Sequence, residues 1–144
     1  MPCYIDPTRE AFDAFKALPR DCTIHMLNLI KLEDTAVYPD GETCSGAEAY
    51  RRYGEYSGPI FRELGGRIVW RGTQECMLTG PQDRHWEIAF IAEYPNAHAF
   101  LAMVTHPAYR KIVVHRQVAV KDSRLIRFGE DDVGEAAADG LVVL

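Results

Sequence analysis

An α+β chain in the order β-α-β-β-α-β, behind one leading helix, is the architecture this sequence predicts. Three observations carry that expectation. Strand-like alternation runs through residues 23–32, 67–78, 86–94 and 119–128; apolar residues at helical spacing fill two of the intervals; and glycine, proline and asparagine stand at the joins.

Thr8 caps a short amphipathic helix in which Phe12, Phe15 and Leu18 recur at helical spacing, and Pro19 stops it. Strand one, HMLNLIK at its centre, places Ile24, Met26, Asn28 and Ile30 on one face and His25, Leu27, Leu29 and Lys31 on the other. An amide and an imidazole thus stand among large apolar groups, and a buried amide without a partner costs about 1–3 kcal/mol. The stretch EDTAVYPDGETCS reads as a long loop with a turn at Pro39-Asp40-Gly41. Ser45-Gly46-Ala47-Glu48 reads as a capping box, with Glu48 reaching back to the cap. The helix it opens carries Tyr50, Tyr53, Ile60, Phe61 and Leu64 in one stripe, with an interruption and a kink expected at Ser57-Gly58-Pro59 because proline lacks the amide.

Gly65-Gly66 supplies a left-handed C-cap, RIVWRGTQECML a second strand and TGPQDR a turn. Strand three, WEIAFIAEY, alternates Trp86, Ile88, Phe90, Ala92 and Tyr94 against Glu87, Ala89, Ile91 and Glu93. Asn96 caps a second helix with Ala97, Phe100, Leu101 and Val104 on its buried side, Pro107 restarts it, and AVKDSRLIRF is the last strand. This is the split βαβ, ferredoxin-like order, a four-stranded antiparallel sheet with both helices on one face. The expected organisation is an arm over residues 1–21, the ferredoxin-like unit over 22–128 and an acidic tail over 129–144, disordered in its first part by composition.

With 144 residues, 47% of them apolar, the chain can bury one core without disulfides. The formal charge of −5 is concentrated at the C-terminus: residues 22–128 hold 13 basic and 12 acidic side chains, whereas 129–144 hold five acids and no base. A near-neutral body with no basic stripe argues against nucleic acid and anionic membranes as partners. No apolar run reaches the roughly 18 residues a membrane span needs, and the start lacks the regions of a secretory signal, which predicts a cytoplasmic protein. Cys3, Cys22, Cys44 and Cys76 lie 19, 22 and 32 positions apart with no CxxC, so reduced thiols are expected and no metal site.

A strand ending NLIK, a Tyr50-x-x-Tyr53 helix, Gly65-Gly66-Arg67 opening strand two, Thr79-Gly80 closing it, and YPNAHAFLAMVTHPAYR leading to HRQVAVKDSRL together resemble a family of small proteins. That family is catalogued as a domain of unknown function within the dimeric α/β-barrel superfamily. The likeness spans about Cys22 to Phe128. It implies a homodimer closed through the helix-free sheet faces, with small ligands held between sheet and helices. Related families include cofactor-independent monooxygenases, haem-degrading enzymes, muconolactone isomerases and stress-responsive binding proteins, so the fold alone assigns no activity.

The candidate ligand-binding residues are Asn28, Tyr50, Tyr53, Trp86 and Arg116. For three of them a structural alternative stands beside the functional one: Asn28 tied to a tyrosine or a water, Trp86 as a core anchor, Arg116 complementing a helix C-terminus. His25 faces away from Asn28 and is expected near the dimer interface. His98, His106 and His115 lack the i, i+4 spacing of a helical metal pair. The resemblance to the haem-degrading relatives implies that a haem site would need a helix histidine, an asparagine on strand one and a tryptophan closing strand three. Asn28 is present, but Trp86 opens its strand instead of closing it, which argues against the group, and no cofactor is expected. An N-terminal Pro2 acting as a base, as in tautomerases, lacks a long strand to seat it. The residues and the resemblance together imply small-molecule binding by a homodimer, and the resemblance implies cofactor-independent oxygenase or isomerase chemistry on an aromatic or carboxylic metabolite as its catalytic form. A non-catalytic ligand-binding or protein-interaction module is the alternative.

Overall fold

The computed structural model describes residues 2–129, so all of the acidic tail but Gly129 lies outside the described residues. Helix α1 (Arg9–Ala17) leads, followed by β1 (Ile24–Leu32), a small hairpin of β2 (Thr35–Val37) and β3 (Thr43–Ser45), and α2 (Gly46–Glu63). Then come β4 (Arg67–Gly72), β5 (Ile88–Tyr94), α3 (Ala97–Thr105), α4 (Pro107–Ala119) and β6 (Val120–Phe128). The four long strands form one sheet in the order β4-β5-β1-β6, with every neighbouring pair antiparallel. That is the ferredoxin-like α+β fold.

Side-chain chemistry explains the boundaries. Thr8, Ser45 and Asn96 accept bonds from the amides of Ala11, Glu48 and Ala99 at 3.1, 3.0 and 2.9 Å, the N-cap bonds that their residue types predict. Gly65 adopts φ +87°, and the amides of Gly65 and Gly66 donate to Arg62 and Phe61 at 3.0 and 2.9 Å, closing α2 with the two bonds of a Schellman motif. His106 ends α3 and caps α4, where Pro107 takes the first helical position.

Five local expectations are corrected. Residues 33–45 are not an open loop: Thr35–Val37 pairs with Thr43–Ser45, and Tyr38 and Glu42 close the hairpin through a 2.8 Å backbone bond. Helix α2 runs unbroken through Pro59, one residue after the side-chain-free Gly58. Glu48 does not reach back to its cap, because its carboxylate pairs with Arg51 and Arg52 at 2.8 and 3.1 Å. The second strand ends at Gly72, not Leu78, and a register shift between Ile68 and Trp70 bulges it. The third begins at Ile88, not Trp86; Gln74 draws Trp86 into the preceding loop, accepting its amide through Oε1 at 3.1 Å.

The core lies on the side of β1 that carries Ile24, Met26 and Ile30. Ile24 and Met26 pack with Ala92 and Tyr94 of β5 and with Phe100 and Met103 of α3, while Ile30 packs with Ala49 and Tyr50 of α2 and Val120 of β6. The opposite face carries Leu27 beside Ile91 and Ile126. The bulge adds Val69 and Trp70 to it, and Trp70 and Phe128 are 52% and 50% exposed in the single chain. Among the described residues no helix is long and apolar enough to cross a membrane.

One buried carboxylate ties three segments together. Asp122 of β6, 1% exposed, accepts from the Tyr4 amide at 2.9 Å and pairs with Arg84 of the β4–β5 loop and Arg124 at 2.5 and 2.7 Å. Burial pushes its carboxyl up, but the bonds from Tyr4, Arg124 and Ser123 outweigh burial and hold it below the usual carboxylate range.

Candidate functional site

Between the inner sheet face and helices α2, α3 and α4 lies an open cleft of about 2010 Å³, flanked along its mouth by α1. Its floor is a row across the sheet: Arg71 on β4 pairs with Phe90 on β5, Phe90 with Asn28 on β1, and Asn28 with Leu125 on β6. Above that floor stand Tyr50 and Tyr53 from α2 and Tyr109 from α4. The helical spacing of Tyr50 and Tyr53 sends both toward the sheet, with ring centroids 5.5 Å apart.

The polar groups of the cleft differ in how far they are satisfied. Asn28 Nδ2 donates to the carbonyl of Met26 on its own strand at 3.1 Å, and its Oδ1 has no protein donor among the described residues. The hydroxyls of Tyr53 and Tyr109 bond each other at 2.9 Å. The Tyr50 hydroxyl has no hydrogen-bond partner among the described residues. Burial pushes Tyr50 up to about 12 despite the nearby guanidinium groups of Arg116 and Arg71. Burial, then the Tyr109 hydroxyl, raises Tyr53 well above the usual phenol value. Burial also raises Tyr109, with partial relief from its bond to Tyr53. All three are therefore neutral donors at neutral pH.

Two of the expected ligand residues are placed otherwise. Trp86 is not among the residues that line the cleft; its ring lies under the Arg124 guanidinium at 5.4 Å, outside the strand that would have turned it inward. Arg116 does line the cleft, yet it holds the N-terminal arm: it donates to the Ile5 carbonyl at 2.6 Å and to Ser123 Oγ at 3.3 Å, and pairs with Asp6 at 3.8 Å. His25 stands on the helix-free face, 3.9 Å from Glu93, which also pairs with Arg67 at 2.6 Å.

No histidine among the described residues lines the cleft. His98 pairs with Asp21 at 3.2 Å, His106 caps α4, and His115 meets the Tyr38 hydroxyl at 2.6 Å. Among the described residues no group of three His, Cys, Asp or Glu is placed to hold a metal ion. Pro2 is exposed and outside the cleft lining.

Two cleft residues escape a reading of the sequence. Tyr109 falls in an apolar helical stripe and passes for core, and only its partner Tyr53 gives it a second role. Arg71 is hidden by the bulge, because plain alternation from Ile68 sends Trp70 inward and Arg71 outward.

Replacing Asn28 by Leu is expected to leave thermal stability unchanged or slightly higher, within about 1 kcal/mol, since the only protein bond lost is one to its own strand. Calorimetric melting checks it. Tyr53→Phe is expected to cost about 1 kcal/mol by leaving the Tyr109 hydroxyl without its partner, read from urea unfolding at pH 7.

A ferredoxin-like sheet with its helices on one face and an open cleft between the layers defines the class of protein. The chain belongs to the family described as Domain of unknown function (DUF1330), which matches residues 42–128. It is similar to the RPA0582 protein, known from two crystal structures. The methylated form is 53% identical with a TM-score of 0.89, covering 94% of this chain and 100% of that one. The other, a protein of unknown function from Rhodopseudomonas palustris, is 55% identical with a TM-score of 0.84, covering 88% of this chain and 96% of that one. SnoaB, a cofactor-independent oxygenase from Streptomyces nogalater, shares the fold at 13% identity and a TM-score of 0.50, over 76% of this chain and 94% of that one. No curated protein matches the chain.

Proposed function

We propose that this protein is a homodimer that binds a small, flat, largely apolar molecule in the cleft of each copy. The observation that carries the proposal is the hollow itself, floored by Phe90 and Asn28 and holding a Tyr50 hydroxyl and an Asn28 oxygen without partners among the described residues. Apolar walls with a few convergent polar groups are what small-ligand sites are made of. The exposed Val69, Trp70, Ile126 and Phe128 on the other face support two-fold pairing through that surface, since scattered apolar residues are ordinary but a contiguous apolar sheet face is not.

Binding is favoured over catalysis by what titrates in the cleft. Oxygenase or isomerase chemistry that begins with proton abstraction needs a base active near neutrality. The three tyrosines are held protonated, and the lining carboxylates Asp6, Asp13 and Glu55 are paired with Arg116, Lys16 and Arg51. The oxygenase SnoaB is therefore a relative in fold, and its chemistry is the second reading.

Nile red, a neutral apolar dye, tests the site. The wild-type chain and an Ile126→Asp variant of the outer face are expected to bind it with the same affinity, and Asn28→Trp, which fills the floor, is expected to lose it. Equal binding by Asn28→Trp, or loss in Ile126→Asp alone, would place the dye outside the cleft and overturn the reading.

A further inference from the structure

The floor of the cleft has a polarity that specifies more than shape. Although the chain carries a formal charge of −5, nine cationic side chains line this cleft against three carboxylates, those of Asp6, Asp13 and Glu55. Each of these carboxylates already has a cationic partner. Arg62, Arg71, Arg110 and Arg127 have no carboxylate partner among the described residues. Of these, Arg71 and Arg127 stand on the sheet; Arg127 is taken up by the carbonyls of Phe15 and Pro19, whereas Arg71, turned to the inner face by the bulge, lies in one row with Phe90 and Asn28. Adjacent strands lie about 4.8 Å apart, so the Arg71 and Asn28 backbones are separated by roughly 10 Å with the Phe90 ring between them. Arg71 and Tyr50, whose hydroxyl has no partner among the described residues, line the same cleft.

Resting on the reading of the cleft as a ligand site, we infer that its ligand is an aromatic carboxylate. Arg71 forks the carboxylate, Phe90 carries the ring, and the free Oδ1 of Asn28 accepts from a hydroxyl or amine at the ring's far end. A guanidinium matches a carboxylate through two parallel bonds, which a neutral alcohol cannot return. The span of the row suits one six-membered ring with a polar group at each end. Tyr50 completes the site from α2 by donating its hydroxyl to the bound anion.

The test is an NMR titration of the full chain with 4-hydroxybenzoate and with its neutral counterpart 4-hydroxybenzyl alcohol. The acid is expected to shift resonances of Asn28, Tyr50 and Phe90. It is expected to bind about tenfold more tightly than the alcohol, a difference of about 1.4 kcal/mol. Arg71→Gln should erase that preference while leaving the alcohol's affinity unchanged, and Arg71→Lys should restore part of it. Acid and alcohol binding alike in the cleft, with no effect of Arg71→Gln, would overturn the carboxylate inference and leave the ligand site standing. If neither compound at millimolar concentration shifts any cleft resonance, both the inference and the ligand site fall.

Discussion

Asp122→Ala is expected to lower the stability of the folded chain by about 3 kcal/mol at pH 7, the largest effect of any single substitution outside the apolar core. The carboxylate is 1% exposed and holds Arg84, Arg124 and the Tyr4 amide, so its removal strands one largely buried guanidinium and unties the N-terminal arm from β6. A fall of about 10 °C in melting temperature is the corresponding observation for a domain of this length. The pH dependence has a definite sign. A carboxyl whose folded value lies below its unfolded one stabilises the fold above the unfolded value, and that contribution is lost as pH falls through the folded value. The gap between wild type and Asp122→Ala should therefore be constant from neutrality down to about pH 5 and shrink below about pH 4. A gap unchanged at pH 3 would mean that the carboxylate's charge contributes nothing.

Leu27→Asp is expected to convert the proposed dimer to single chains. Leu27 sits at the centre of the helix-free face, paired with Ile91 on one side and Ile126 on the other. In a two-fold interface each substitution appears twice, and two unpaired carboxylates buried in apolar surroundings cost several kcal/mol, raising the dissociation constant by more than about a hundredfold. Phe128→Glu, at the exposed end of the same face, should weaken the dimer less and serves as the milder variant. Light scattering reads both. Wild type is expected at about twice the 16.3 kDa of the chain, and Leu27→Asp at that single-chain mass with an unchanged circular dichroism spectrum.

What could be read from the sequence follows the range of the interactions. The order of the four long strands and of the helices, the caps at Thr8, Ser45 and Asn96, and the left-handed stop at Gly65 are local, and their residue types state them directly. The two faces of β1 were equally plain, because alternation separates Asn28 from Leu27 whatever surrounds them. The pairing of Tyr50 and Tyr53 over the sheet followed from helical spacing.

The rest depends on contacts that no spacing encodes. Trp86 looked like a cleft residue because strand parity was extended through it, yet a loop glutamine 12 positions away takes its amide first. Arg71 was invisible because one extra residue in β4 reverses the parity of everything after Val69. Asp122 gave only a faint sign, an acid in a strand where acids are unusual; its long-range partners Arg84 and Tyr4 stand 38 and 118 positions away. Arg116 was legible as a cation near the cleft but not as the anchor of a segment more than a hundred residues upstream.

The central claim is that a hollow over Phe90 and Asn28 holds the ligand, and an electron-density map from crystals grown with 4-hydroxybenzoate tests it most directly. The account predicts planar density lying on Phe90, with its carboxylate at Arg71 and its hydroxyl at Asn28. A map in which Tyr50 and Phe12 close down on Asn28 and leave no space above the sheet would contradict it.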